Sequence, residues 1–335
     1  MRELILMYEL DQPPSWFNKF LPADYPKSIY DPARHYHNDV VFYYDLYGAY
    51  HDTIVDKLRQ GHRIIYDAKN EHYMPTFKEW ILEEFKNYPG QAMFLISGHA
   101  PKNIPGVTIH ATPYWYWIID QINYHYFGYE TFVPAPTKEY KFFMQMQNDR
   151  IDRDIMYKKL TPVLSDSLHS YRNRGVFLPN DYTGQGNWQR YMNFEWINQT
   201  CFSLTVETYM DDALNDTGYS LTTHDSWFLC EKAYKAIAAH HPFILASTHT
   251  NLAYLRSHGF ETFPELWDES YDNEPNFERR MDRIVDIITH FDKASWDQQI
   301  VKEKLEYNRA RFFDQQLTKK FCQETVIEPI LRFAE

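Results

Sequence analysis

The strongest constraint on this chain is a pattern. Short apolar runs alternate with helix-spaced segments as far as Val133, stop at Pro134-Ala135-Pro136, and then begin again. Met1 to Leu10 holds a first strand-like run, and Val40-Val41-Phe42-Tyr43-Tyr44 a second. His51 to Gln60 carries helical spacing ended by Gly61, and Arg63-Ile64-Ile65-Tyr66-Asp67 returns to a strand. A helix is expected around Phe77 to Asn87, and Ala92-Met93-Phe94-Leu95-Ile96 and Val107-Thr108-Ile109-His110 close the series. Alternation of this kind predicts α/β units with a mainly parallel sheet. The two prolines exclude a helix across Val133 to Lys138, which reads as a linker.

Beyond the linker, Lys141 to Met146 is strand-like and Ile151 to Leu164 helical. Phe202 to Val206 and Pro242 to Ala246 are strand-like, while Glu231 to His240 and Asn251 to His258 have helical spacing, the latter stopped by Gly259. From Asn276 onward the chain is charged and helical throughout. A length of 335 residues leaves room for two domains of ~150 each. The chain therefore divides into an N-terminal α/β domain at 1–135 and a second at 138–300. The C-terminal helices at 301–335 are expected to pack back across the hinge.

Composition removes several function classes. With 34 Lys+Arg against 46 Asp+Glu the net charge is −12, which excludes a uniformly basic nucleic-acid surface but permits a local basic groove. Only 11 glycines occur, so a glycine-cradled phosphate loop is a poor expectation. Three cysteines, Cys201, Cys230 and Cys322, are too few and too scattered for a disulfide framework. The first ten residues lack the apolar length of a secretory signal, and no run approaches a membrane span, so a cytoplasmic setting is expected. The excess is aromatic: 9 Trp, 27 Tyr and 23 Phe, enough for a large core and for stacking surfaces. Tyr114 to Phe127 concentrates seven of them, as a helix against a sheet or as a stacking platform.

The densest chemical segment is Phe228-Leu229-Cys230-Glu231-Lys232-Ala233-Tyr234-Lys235, followed by Pro242-Phe243-Ile244. An apolar approach ends in a Glu-Lys pair where a helix begins, and helix N-termini hold phosphates without help from glycine. Lys232 can add a point charge to a diphosphate, and Glu231 can accept hydrogen bonds from a ribose diol. Taken alone, Glu231 equally suits the first turn of any helix and Lys232 a solvated surface.

Read together with Leu252-Ala253-Tyr254-Leu255-Arg256-Ser257-His258-Gly259-Phe260-Glu261-Thr262-Phe263, Trp267-Asp268-Glu269-Ser270-Tyr271-Asp272, Val206-Glu207-Thr208 and Asn148-Asp149-Arg150-Ile151-Asp152-Arg153, that segment resembles a glycosyltransferase-like family of phages and bacteria. The family is distantly similar to the donor-binding half of fucosyltransferases. The resemblance spans roughly residues 138 to 290, and departs from the family pattern at Cys230, where Thr is usual, and at Asp152, where His is frequent. It implies the GT-B architecture, two Rossmann-like domains facing across a cleft with C-terminal helices. It also implies a nucleotide-sugar donor, UDP- or GDP-linked, held by the second domain. Glu231 and Lys232 would take the ribose and diphosphate, with Glu207 lining the same pocket. Arg150 or Arg153 would offset the charge growing on the leaving diphosphate. The competing reading of Arg153 is an exposed helix position.

Inverting transfer needs a base for the acceptor hydroxyl, expected in the N-terminal half. Asp45, Asp67, Glu71 and His99 each follow an apolar strand, whose C-terminal end faces the cleft in a parallel sheet. Asp152-Arg153-Asp154 spells the Asp-x-Asp of metal-dependent glycosyltransferases, but reads better as first-turn acids, so no obligatory metal or other cofactor is expected. A subset of the resemblance concerns phage enzymes that glycosylate or arabinosylate 5-hydroxymethylcytosine in duplex DNA. Arg172, Arg174 and Arg190, interleaved with Tyr171, Tyr182, Trp188 and Tyr191, are the candidate acceptor contacts. The alternatives are transfer to a cell-surface glycan and a non-catalytic nucleotide- or glycan-binding protein.

Overall fold

A computed structural model describes residues 3–8, 24–29, 41–45, 51–68, 84–97, 108–112, 135, 138–178, 194–207, 210 and 229–335. The expected helix at Phe77 falls largely outside them, as do Glu71, His99, Tyr114 to Phe127 and Arg190. The protein is α/β, and the chain divides into two compact units. One comprises Met1–Asp120, Thr217–Ser226 and Gln315–Glu335; the other comprises Gln121–Asp216 and Trp227–Asp314.

In the first unit the described strands are β1 (Leu4–Tyr8), β2 (Lys27–Ile29), β3 (Val41–Asp45), β4 (Arg63–Ala68), β5 (Ala92–Ser97) and β6 (Thr108–Thr112). They form one sheet in the order β2-β1-β3-β4-β5-β6, parallel throughout. Helix α1 (His51–Arg59) bridges β3 and β4 and buries Ile54, Val55 and Leu58, one apolar stripe at helical spacing. Gly61 ends the crossing at φ +86, a left-handed backbone that glycine adopts without Cβ strain.

The second unit carries β7 (Tyr140–Met146), α2 (Ile151–Leu160), β8 (Ser167–Tyr171), α3 (Phe194–Gln199), β9 (Thr200–Val206), α4 (Glu231–Ala238), β10 (Phe243–Ala246), α5 (Asn251–Ser257), α6 (Phe277–His290) and α7 (Gln299–Phe313). Its sheet runs β10-β9-β7-β8, again parallel. Strand β9 is buried along its whole length, so Cys201 to Val206 carries no charge. Its hydroxyls are satisfied internally: Ser203 Oγ lies 2.8 Å from His241 Nδ1, and Thr205 Oγ donates to Ile244 O at 2.9 Å. Aromatic packing binds the sheet to its helical cover, with the Phe202 ring 5.9, 5.1 and 5.0 Å from those of Phe142, Trp267 and Phe291. Helix α2 packs against α6, and α4 against α7.

The tail divides at Asp314. Beyond it α8 (Gln315–Cys322), a π-helical turn (Gln323–Ile327) and α9 (Glu328–Ala334) belong to the first unit. Cys322, Val326, Ile327 and Ile330 share a core with Leu4, Val41, Ile65 and Met93. Pro329 has no N–H to give the carbonyl four residues back, and that carbonyl, of Thr325, accepts instead from the His110 ring. Among the described residues no helix is long and apolar enough to cross a membrane.

Strand order reverses once in each sheet. In the second unit the chain goes from β7 to β8 on one side, then to β9 on the other. The crevice at the C-terminal ends of β7 and β9 is thus the topological switch point, where open parallel sheets bind ligands. In the first unit the corresponding point lies between β1 and β3.

Candidate functional site

Five of the sequence-predicted residues gather at the second switch point. Strand β9 runs out at Val206 and delivers Glu207, whose backbone N–H still bonds Ala246 O of β10 at 2.9 Å. Strand β7 runs out into Asn148, Asp149 and Arg150, and α2 starts immediately, placing Asp152 and Arg153 in its first turn. Helix α4 begins at Glu231 and Lys232.

Glu207 is fully buried. Its Oε2 accepts from Cys230 N at 2.9 Å, while Oε1 has no hydrogen-bond partner. Burial pushes the carboxyl above its ordinary range, against the pull of Lys232 and of the Cys230 N–H. The N–H of Cys230, the residue that precedes α4, is thus already taken by a carboxylate.

Glu231 and Lys232 form an ion pair at 3.4 Å, and Lys232 Nζ donates to Cys230 Sγ at 2.9 Å. Burial works against the Glu231 charge, but Lys232, Lys235 and the helix N–H outweigh it, so its carboxyl is held below the usual range. Burial likewise opposes the Lys232 ammonium, yet the negative groups around it raise it above its ordinary value. The Cys230 thiol is pushed well up by burial and by the carboxylates of Glu207 and Glu231, so it stays neutral, and its sulfur accepts the hydrogen bond from the Lys232 ammonium. Lys232 is not the solvated residue that its sequence position alone would allow.

Arg153 is not an exposed helix residue either: it is 5% exposed. Its guanidinium donates to Asn148 O at 3.1 Å and to Glu207 O at 3.5 Å, and its Nε has no partner. Burial, then the charge of Arg150, holds it below its ordinary value, opposed by Asp152. Arg150 Nε lies 3.8 Å from Asp152 Oδ1.

The Asp-x-Asp string separates into two environments. Asp152 is fully buried and accepts from Arg153 N at 2.8 Å and Met210 N at 3.4 Å. Asp154 accepts from Tyr171 Oη at 2.7 Å and from Arg174. Among the described residues no group of three His, Cys, Asp or Glu side chains is placed to hold a metal.

Beside this cluster, over the face of β7 and β9, lies a small pocket of about 30 Å³, whose wall includes Phe143, Gln145, Ser203, Thr205, Lys232 and Lys235; that is room for a water molecule or two. Lys235 closes the densest chemical segment of the sequence, where it was given no role of its own. Its spacing, three after Lys232 and four after Glu231, puts all three on one helix face and was the available signal.

The remaining candidates belong to other elements. Arg172 and Arg174 form a short 3₁₀ turn after β8, where Arg174 pairs with Asp154 and stands 3.8 Å from Asp149. Asp45 is the last residue of β3, opposite Tyr8 of β1, and so stands at the first unit's switch point. Asp67 stands one strand further over, opposite Leu95. Both are placed by backbone alone, their side chains lying outside the described part. No family model, curated protein or solved structure matches the chain.

Proposed function

We propose that the protein is a glycosyltransferase that moves a sugar from UDP or GDP to a hydroxyl acceptor. Its two α/β units would be the halves of a GT-B enzyme facing across a cleft. The observation that carries this reading is the convergence of Glu207, Glu231, Lys232 and Arg153 at the switch point of the second parallel sheet. Nucleotides bind at such points, and the cluster offers both of the chemistries that a nucleotide sugar needs. The Oε1 of Glu207, without a hydrogen-bond partner, and that of Glu231, whose contact is the 3.4 Å ion pair with Lys232, can accept from ribose or sugar hydroxyls. Lys232 and the unpartnered Nε of Arg153 supply fixed positive charge for a departing diphosphate.

In the proposed reaction the acceptor oxygen bonds to the anomeric carbon as that carbon's bond to the diphosphate oxygen breaks. The hydroxyl proton passes to a base, and the electron pair leaves with the diphosphate, facing Lys232 and Arg153. Asp45 leads Asp67 as candidate base because it stands at the first sheet's switch point; His99, the third candidate, lies outside the described residues. No obligatory metal is required, since the chain's own cations can offset the leaving-group charge.

The leading acceptor is 5-hydroxymethylcytosine in DNA, a proposal that rests on the family resemblance. Arg172, Arg174 and Arg190 would be the contacts, and Arg174 would have to leave Asp154 to meet a DNA phosphate. Incubating the chain with UDP- and GDP-sugars and hydroxymethylated or plain duplex DNA, then weighing the nucleosides by mass spectrometry, tests the proposal. The expected result is a sugar adduct on hydroxymethylcytosine alone. Sugar-nucleotide hydrolysis without an adduct would move the acceptor elsewhere, and neither product would overturn the enzyme reading.

A further inference from the structure

Helix α4 closes with a Schellman turn: His240 N donates to Ile237 O and His241 N to Ala236 O, both at 3.1 Å. Such a turn needs one residue in the left-handed region, usually glycine, and here it is His240 at φ +54. A side chain is kept there at a conformational cost that glycine would avoid. The His240 side chain is also buried, and neither of its ring nitrogens has a hydrogen-bond partner. His241 shows the contrast: it is buried too, but its ring lies 2.8 Å from Ser203 Oγ and 2.9 Å from Thr200 O. A neutral imidazole carries one N–H, whereas an imidazolium carries two and a charge. With no acceptor on either nitrogen, a proton on the buried His240 ring meets the full desolvation penalty. Helix α7, packed on α4, adds to that penalty, because Arg309 sets a like charge against the ring.

We infer that His240 is an acid-sensitive latch between α4 and α7: its neutral ring stays in the core, and on protonation it turns out to water and loosens α7 from α4. The inference goes beyond the donor reading and does not rest on it, although α4 is the helix that carries Glu231, Lys232 and Lys235. What remains between the two helices is apolar contact, in which the Tyr234 and Phe312 rings stack at 6.2 Å. On its other side α7 is held by hydrogen bonds. The Asn308 amide pairs with Glu261 N and O at 2.7 and 2.9 Å, and Arg311 donates to His258 O. The opening is therefore local to the α4 side, and the sheet beneath stays closed.

Burial first, then Arg309, lowers the His240 imidazolium from the ordinary 6.5 to about 4. From α7, Glu306 acts in turn on Arg309. The last turn of α4 carries Lys235, His241 stands next in the chain, and β10, which follows, has no ionisable side chain. A group lowered in the folded state contributes stability that is fully present above its unfolded value. That stability is lost as pH falls from about 6.5 towards 4. His241 is lowered as well, to about 3, mainly by burial. Its ring is bonded on both nitrogens within the sheet, so it takes up its proton only when the sheet itself opens.

Hydrogen–deuterium exchange of the full chain at pH 7 and pH 5, corrected for the intrinsic pH dependence of exchange, tests the latch, with His240→Asn alongside. Asparagine tolerates the left-handed backbone and does not titrate. In the wild type the amides of α4 and α7 should open about tenfold more often at pH 5 than at pH 7, as a displacement of this size requires. His240→Asn should show no such rise. If His240→Asn does not fold, the wild-type pattern still decides. A rise confined to α4 and α7 upholds the latch, and one shared equally by β7 and β9 overturns it in favour of His241 and the sheet. A rise of equal size in His240→Asn, or none in the wild type, overturns it as well.

Discussion

Glu207 accepts from the Cys230 N–H just before α4, and its burial sets a testable pH dependence. A carboxyl raised in the folded state stabilises the fold most when protonated. That stability is present below the ordinary glutamate value, about 4.3, and is lost as pH rises through the folded value. Glu207→Gln keeps the oxygen that accepts from Cys230 N but carries no charge to bury. Thermal unfolding should therefore show the variant gaining on the wild type between pH 4 and pH 7.5. A gain in the opposite direction would mean that Lys232 and the helix outweigh burial at this carboxylate. Residues of this kind were only half legible in the sequence. Glu231 and Lys232 stood out at a helix start, but the contact from Glu207 to Cys230 joins positions 23 apart and is created by the sheet. The burial of Arg153 and Lys235 was equally hidden, because a basic residue at helical spacing looks the same on a solvated face and over a pocket.

At the scale of elements, legibility followed apolar density. Strands β7 and β9 and helices α4 and α6 were apparent because their buried residues repeat at the spacing of the element; α6 buries Phe277, Met281, Ile284 and Ile288. Strand β8, Ser167-Leu168-His169-Ser170-Tyr171, escaped because it has one aliphatic residue and owes its place to pairing with β7. Helix ends marked by glycine were the clearest signals. Gly259 follows α5 at φ +79, and a Cβ there would lie 2.5 Å from the Arg311 guanidinium carbon. That guanidinium donates to His258 O at 2.9 and 2.6 Å, joining α7 to the end of α5. Gly259→Ala should lower Tm by roughly 2–8 °C from the left-handed backbone alone, and further as Arg311 is displaced. Gly175→Ala, at φ +75 with nothing within 4 Å of the new Cβ, isolates the backbone contribution. Equal losses at the two glycines would mean that Arg311 moves aside freely.

Across the whole molecule, the sequence pattern foretold two α/β regions, and the described residues form two parallel sheets, each with one reversal of strand order. The first unit is not continuous in sequence, because Gln315–Glu335 returns to it and Ile330 and Val326 join Leu4 and Val41 in its core. Local spacing could predict helices there, but not the sheet whose residues they would share a core with. Much of the aromatic excess among the described residues is core, as in the cluster of Phe142, Phe202, Phe263, Trp267 and Phe291. The scarcity of glycine, 11 in 335, fits a site whose anion binding is assigned to lysines and arginines instead of a glycine loop. The central claim is that the second sheet's switch point holds a nucleotide sugar, and calorimetric titration of UDP- and GDP-sugars into the wild type and Lys232→Ala tests it most directly. The account predicts that at least one sugar nucleotide binds and that Lys232→Ala weakens it by about tenfold or more, the loss of one charge-assisted contact of ~1.5–3 kcal/mol. Binding of no nucleotide sugar, or equal binding by Lys232→Ala, would contradict it.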